Sequence, residues 1–169
     1  MAGRTSSLDF INWDPMLEGS VIAHSRLLYD SFKNLTGESL VEGTFASEEE
    51  LARAMYYAPV VIVSHDTQDD PVFNYANEAA QFLWEMSWDE FTKLPSRFSV
   101  EPAKMSEREA LLESTRKEGI IKGYKGVRIS RSGKRFMIKD ATLWNVYNEL
   151  NLYCGQAARF ATWDFVAKE

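Results

Sequence analysis

Residues 59–94 read PVVIVSHDTQDDPVFNYANEAAQFLWEMSWDEFTKL, and this stretch decides the fold of the chain. The apolar run at residues 60–63 predicts a short strand. A polar turn follows, and residues 71–75 predict a second extended segment. Helices are expected to begin at Asn77 and Ser87, because Asn and Ser are preferred N-cap residues. The stretch therefore predicts two neighbouring strands followed directly by short helices.

A longer helix is predicted before this stretch. Asp14-Pro15 is typical of a helix start, and Thr36-Gly37 is typical of a helix end. Its apolar stripe, with Leu17 and His24 on or near it, consists of Val21, Leu28, Phe32 and Leu35. An apolar stripe has to be buried. It either folds back on the chain's own sheet or meets the same helix of a second copy, and the sequence leaves both open.

Three Ser/Glu pairs have the spacing of a capping box, in which the two residues exchange hydrogen bonds across the first helical turn. They are Ser47/Glu50, Ser87/Glu90 and Ser106/Glu109. The first predicts a helix that stops before Pro59, and the third predicts a helix over about residues 106–118. Each pair is expected to mark a helix start.

From Ile120 onward the pattern becomes extended and predicts three strands. Residues 124–130 alternate, Ser132-Gly133 is a hairpin signal, and residues 134–147 and 152–165 form the next two strands. Strict alternation places Asp140 and Trp144 on the same face as Phe136 and Ile138. On the final strand, alternation directs Gln156 with Phe160 toward the helices.

This order of elements, with "YANEAA" (75–80) after the second strand, resembles the opening of a PAS domain. "GVRISRSGKRF" (126–136) and "GQAARFATW" (155–163) resemble segments of the MEKHLA variant of that family. The resemblance implies an α+β fold: a five-stranded antiparallel sheet with helices on one face and an N-terminal helical extension. Residues 1–58 are expected to form the extension and residues 59–169 the PAS-like domain.

Composition restricts the class of protein. The chain has 169 residues, of which 45% are hydrophobic, and a formal net charge of −6. An acidic chain without a basic stripe argues against nucleic-acid binding, and no apolar run reaches the roughly 20 residues that a membrane span needs. A single cysteine, Cys154, excludes an internal disulfide and favours a reducing compartment. We expect the cytoplasm, with the chloroplast stroma as the alternative.

Metal, haem, flavin and catalytic sites are not expected. The two histidines, His24 and His65, are distant in sequence from each other and from the cysteine, and have no metal-ligand spacing. The PAS resemblance implies a comparison with photoactive flavin-binding relatives, which need a cysteine in the helical segment after the second strand. The corresponding residues here, 94–99, contain no cysteine. No nucleophile motif or phosphate loop occurs. We expect a protein that is not an enzyme, and the sequence leaves any cofactor unidentified.

The PAS resemblance and strand alternation together predict a ligand pocket between the sheet and the helices. Its candidate lining is Phe82, Phe91, Phe98, Leu112, Ile129, Phe136, Asp140 and Gln156. Asp140 would be a polar anchor there, or it would lie at a bulge or pair with Arg97 or Arg128. The aromatic residues would line the pocket or fill it.

Two functions remain open. In the first, a PAS-like sensory module binds a small apolar or aromatic ligand and signals through a non-covalent protein partner, since no effector segment is recognisable. In the second, a ligand-free module forms a homodimer through the outer face of the sheet or the helix at residues 15–36. Tyr153, Trp163 and Phe165 would then contribute a contact surface, because aromatic residues are enriched at interface cores.

Overall fold

The computed structural model describes residues 18–167. Its helices are α1 (Gly19–Thr36), α2 (Glu48–Tyr56), α3 (Glu78–Trp84), α4 (Trp88–Phe91) and α5 (Met105–Glu118). Its strands are β1 (Val61–His65), β2 (Phe73–Ala76), β3 (Ile120–Ile129), β4 (Arg135–Tyr147), β5 (Tyr153–Phe160) and β6 (Thr162–Val166). Two short 3-10 turns, Ser96–Ser99 and Pro102–Lys104, connect α4 to α5.

The strands form one antiparallel sheet in the order β2-β1-β5-β4-β3. The sixth strand, β6, pairs with the first part of β4, whereas β5 pairs with the last part of β4. The predicted final strand at residues 152–165 is therefore interrupted at Ala161 and continues along the same neighbour. The predicted α+β fold with an antiparallel sheet and an N-terminal helix is confirmed, but the described residues form six strands and not the predicted five, because the final strand is divided in two.

Helices cover both faces of this sheet. One core cluster joins α1 and α2 to sheet residues such as Ile62 and Trp144. The other joins Val61, Val63 and Phe136 to the helices that follow β2. Successive side chains of a strand point to opposite faces. A strand that is covered on both sides therefore reads as a continuous apolar run, which explains residues 60–63.

The N-terminal helix folds back on its own sheet. Leu28 and Phe32 are buried, and the Phe32 ring packs edge-on against Trp144 with 4.8 Å between ring centroids. The Ser31 hydroxyl accepts a hydrogen bond of 2.9 Å from the Tyr147 N–H. Burial of two such apolar side chains contributes about 3–6 kcal/mol before entropy is counted. The apolar stripe of α1 is thus buried against the chain's own sheet. The predicted helix start at Asp14-Pro15 lies outside the described residues.

A bulge in β4 overturns part of the predicted alternation. Asp140 has a positive φ of 51°, and the register between β3 and β4 shifts at this point. The extra residue changes which face the following side chains use. Ala141 therefore packs in the same cluster as Ile138, and Trp144 lies on the opposite face from Phe136. The expectation that Asp140 and Trp144 share a face with Phe136 is wrong, and the bulge alternative is confirmed.

The three predicted capping boxes have different outcomes. Ser87 and Glu90 form a complete box. The Ser47 side chain accepts from the Glu50 N–H, but the Glu50 carboxylate accepts from Ala46 instead. Ser106 does not cap α5, which begins at Met105 directly after the 3-10 turn. The third prediction is wrong because the chain is already helical when it reaches Ser106.

Candidate functional site

A cavity of about 70 Å³ lies between the sheet and the helices on the face opposite α1. The sheet contributes residues of β1 to β5, and the other side comes from α3, the first 3-10 turn and α5. Most of the lining is apolar and includes Val63, Phe73, Ile138, Leu143 and Phe160. Such a cavity is the usual position of a small-molecule site in a mixed fold.

Two arginines border the cavity among these apolar groups. Arg108 projects from α5, is only 8% exposed, and donates a hydrogen bond to the Ser96 hydroxyl. The Arg128 guanidinium donates to the Tyr124 hydroxyl at 3.3 Å and to the Val127 carbonyl at 3.0 Å. Both arginines, Ser96 and Tyr124 contribute to the cavity lining. The cavity therefore has a positive wall.

No carboxylate offsets this positive wall within the lining formed by residues 18–167. Neither Arg108 nor Arg128 forms an ion pair in that part of the chain. Burial lowers the pKa of Arg108, and the nearby charge of Arg128 lowers it further. A buried charge is costly unless it is paired. Arg97, by contrast, is neutralised by Asp70, with 3.0 Å between its Nε and the Oδ1.

Two ring nitrogens of cavity-lining residues are buried and have no hydrogen-bond partner among residues 18–167. They are His65 Nε2 and Trp84 Nε1. His65 Nδ1 lies 2.9 Å from the Asp66 carbonyl, so Nδ1 carries the proton and Nε2 is an acceptor in the neutral ring. Burial lowers the pKa of His65 and favours that neutral ring. Buried polar atoms normally have partners, so these two nitrogens are positions where a ligand or water would be bound.

The amide of Gln156 has a structural use. It donates at 2.9 Å to the Leu112 carbonyl on α5 and at 3.3 Å to the Asn145 side chain. These bonds connect β5 to α5 and to β4 at one end of the cavity. Gln156 therefore lies where the sequence predicted, with its N–H groups already bonded.

The predicted site residues separate into three groups. Leu112 and Gln156 line the cavity. Phe91 and Phe136 are buried in the adjoining core cluster, and Ile129 is half-buried outside the lining. Three placements are wrong, because Phe82, Phe98 and Asp140 are exposed. Whether the lining residues bind a ligand stays a prediction.

The three misplaced residues have separate physical causes. Phe82 is 78% exposed because Ala80, Leu83 and Trp84 form the buried side of α3. Phe98 is 53% exposed and carries the Arg97 guanidinium 4.2 Å from its ring centroid. Asp140 points outward because of the bulge in β4.

Sequence reasoning did not place Arg108, Arg128 or Trp84 in the lining of the cavity. In α5 the buried residues are Arg108, Leu111 and Thr115, which are three and four residues apart. That spacing places Arg108 on the buried stripe of the helix. The signal was present in the sequence, but a charged residue was assigned to the solvent side by its type alone.

Two properties of the described residues limit the kind of site. Across residues 18–167, no group of three or more His, Cys, Asp or Glu side chains could hold a metal ion. In the same range, no helix combines the length and the apolar character that crossing a membrane requires.

The antiparallel sheet with helices packed over the cavity has a PAS-like fold, and solved structures agree with this fold. A PAS domain from Colwellia psychrerythraea superposes with a TM-score of 0.57 at 17% identity, covering 68% of this chain and 92% of that one. An RNA-binding light-oxygen-voltage receptor gives 0.56 at 22% identity, covering 64% of this chain and 31% of that one. A light-oxygen-voltage domain studied with a flavin analogue gives 0.54 at 14% identity, covering 70% and 85%.

The family model of the MEKHLA domain matches residues 22–165. The chain therefore belongs to the MEKHLA domain family, as its sequence motifs predicted. A search of curated protein sequences gave no match. The family match begins inside α1 and includes α2, whereas the sequence placed a boundary at residues 58 and 59. That boundary stays a prediction.

Proposed function

We propose that this protein is a PAS-like sensory module that binds a small, largely apolar ligand in the cavity and signals through a non-covalent protein partner. The observation that supports it is the cavity itself: a largely apolar space beside buried ring nitrogens that have no partner in the described part of the chain. Cavities of about 150 Å³ accommodate benzene. A volume of about 70 Å³ therefore favours ligands smaller than an aromatic ring, unless the helices move outward.

A path from the cavity to the opposite face supports the signalling role. His65 lines the cavity, and its neighbour Ser64 bonds to His24 on α1, with 2.9 Å between His24 Nε2 and Ser64 Oγ. A ligand that shifts β1 would also shift the contact with α1. The exposed side chains of Leu150 and Leu152, at the turn between β4 and β5, offer apolar surface to a partner.

The second candidate is a ligand-free module that dimerises, and one observation favours a specific version of it. Phe165 is 61% exposed on β6, which pairs only with β4 among the described strands. The other edge of β6 is thus open to a strand from a second copy. Dimerisation through the outer sheet face is disfavoured, because α1 and α2 cover that face.

We infer that the protein works by binding rather than by catalysis. The lining of the cavity combines arginines, serines and a neutral histidine. Ser64 lies within hydrogen-bond distance of His24, but its hydroxyl donates to the Asn74 side chain, so the histidine is not its base. The single cysteine, half-buried and with a pKa raised by burial, fits a reducing compartment, either the cytoplasm or the chloroplast stroma.

Methyl NMR provides the test of ligand binding. A labelled sample is titrated with a library of small organic compounds while the methyl signals of Val63, Leu112, Ile138 and Leu143 are followed. At least one compound is expected to shift these signals saturably, with no effect on methyl groups of the α1 side. Ala158 lines the cavity on β5, so Ala158→Leu should fill it and abolish the shifts.

The outcomes discriminate between the two candidates. If no compound shifts the cavity methyl groups, and native mass spectrometry detects no bound mass, the ligand proposal is wrong. A dimer by sedimentation that Phe165→Ser dissociates would then support the interaction module.

A further inference from the structure

We propose that the cavity recognises a small organic carboxylate, whose negative charge is held by Arg108 and Arg128. This inference rests on the proposed ligand-binding function and specifies the chemical class of the ligand. It concerns the charge of the ligand, which neither the family nor the solved structures assign.

The first support is the state of the two guanidinium groups. An arginine has five N–H donors and matches a carboxylate with two parallel hydrogen bonds. Arg108, nearly inaccessible to solvent, donates to the Ser96 hydroxyl, and Arg128 donates to Tyr124 and Val127. Donors on both side chains remain for a further acceptor.

The second support is the charge balance around the cavity. Burial lowers the pKa of Arg108, and Arg128 is close enough to lower it further, while no aspartate or glutamate belongs to the lining within residues 18–167. Asp70 and Glu109 are near Arg108, but Asp70 is paired with Arg97. A bound anion would supply the missing negative charge where the protein does not.

The third support is the shape and polarity of the rest of the lining. Beyond the arginines and a few other polar side chains, the lining is apolar and includes Phe73, Ile138, Leu143 and Phe160. This surface suits a short hydrocarbon tail, and the volume of about 70 Å³ limits the ligand to a few carbon atoms. The Trp84 N–H adds one buried donor on this wall. A carboxylate of two to four carbons combines both requirements.

Matched probes separate charge from shape. Acetate and propionate are compared with acetamide and propionamide, which have nearly the same size and no charge. The Ile138 and Leu143 methyl signals are followed at constant ionic strength set with sodium chloride. The carboxylates are expected to shift these signals saturably, with at least tenfold tighter binding than the amides.

Variants then assign the charge to its residues. Arg108→Gln and Arg128→Gln should each weaken propionate binding at least tenfold, while Arg108→Lys should retain part of it. Arg26→Gln is the control, because it removes the same charge from a guanidinium paired with Glu48 on the α1 side of the sheet, and binding should change less than threefold. Circular dichroism and amide NMR dispersion check that each variant folds; if Arg108→Gln does not, the comparison of acids and amides on the unaltered chain still decides.

Each remaining outcome is informative. Equal binding of acids and amides would overturn the carboxylate proposal while the ligand cavity stands. Binding of the amides without binding of the carboxylates would also overturn the carboxylate proposal and leave the ligand cavity standing. If neither series shifts the cavity methyl groups, and neutral compounds from the wider library do, the carboxylate proposal also fails. If nothing shifts them, the proposed function fails as well.

Discussion

The Asn77 side-chain oxygen accepts hydrogen bonds from two backbone N–H groups, that of Ile62 in β1 at 3.0 Å and that of Ala80 in α3 at 3.2 Å. The amide nitrogen of the same side chain donates to the carbonyls of Met55 and Val60 at 3.1 and 2.8 Å. Asn77 is fully buried. One side chain thus caps a helix and joins it to a strand and to the end of α2.

Asn77→Ala is therefore expected to lower the free energy of unfolding by about 3 kcal/mol, because several buried backbone groups lose their partners together. Chemical denaturation monitored by circular dichroism measures the change. Asn148→Ala is the matched control, since its side chain also accepts two backbone N–H bonds but lies in an exposed turn. A loss for Asn77→Ala no larger than that of the control would contradict this role.

The same residue illustrates how far sequence reasoning reaches. The helix start at Asn77 is predictable, because an N-cap depends on local spacing, and the strands at residues 60–63 and 71–75 follow from local apolar pattern. The bonds from Asn77 to Met55 and Val60 cross 22 and 17 residues and depend on tertiary packing. Local pattern contains no information on such contacts.

The candidate site was only partly predictable for a related reason. Gln156 and Leu112 lie at the cavity because alternation on β5 and periodicity on α5 hold there. Asp140 does not, because one bulge shifts the alternation of β4, and a bulge leaves little trace in the sequence. Arg108 was missed because residue type outweighed helical phase. Prediction of the site therefore fails where an inserted residue shifts strand alternation and where a charged side chain is buried.

The buried His24 makes stability depend on pH. Burial lowers the pKa of His24 from 6.5 to about 4 in the folded protein. Between these two values the unfolded chain binds more protons than the folded one, so acid favours unfolding. The stabilisation is complete above about pH 6.5 and is lost as the pH falls toward 4. The free energy of unfolding that is lost through protonation of His24 is about 3 kcal/mol for a pKa shift of this size.

His24→Gln removes this titration and retains a donor toward Ser64. We expect the drop in unfolding free energy between pH 7 and pH 4.5 to be about 2 kcal/mol smaller in the variant than in the unaltered protein. Denaturation curves at both pH values measure it. His65, whose pKa is also lowered by burial, titrates in both proteins and cancels in the comparison. An identical pH dependence in the two proteins would show that His24 is not the responsible group.

Gly155 lies where β5 passes the end of β1. A Cβ atom at this position would stand 2.1 Å from the His65 carbonyl oxygen, and its φ of +148° disfavours other residues. Gly155→Ala should therefore lower the free energy of unfolding by at least about 2 kcal/mol, since the clash is with backbone. Gly133→Ala is the control, because its φ is also positive while nothing lies within 4 Å of the added atom. Equal losses in the two variants would assign the effect to backbone conformation alone.

The buried guanidinium of Arg108 should cost stability when no ligand is bound. Replacing a poorly compensated buried charge by an apolar side chain of similar length is commonly neutral or stabilising, by about 1–4 kcal/mol. Arg108→Met is therefore expected to raise the free energy of unfolding by about 1 kcal/mol in anion-poor buffer, despite losing the bond to Ser96. Arg97→Met, which breaks an exposed pair with Asp70, should change it by less than about 0.5 kcal/mol. Thermal and chemical denaturation of both variants measure these changes in the free energy of unfolding, first without and then with propionate.

Propionate should stabilise the unaltered chain and leave the stability of Arg108→Met unchanged, because a side chain kept for binding costs stability in the free protein and contributes it in the complex. A clear destabilisation by Arg108→Met without anion would mean instead that Arg108 is a structural residue.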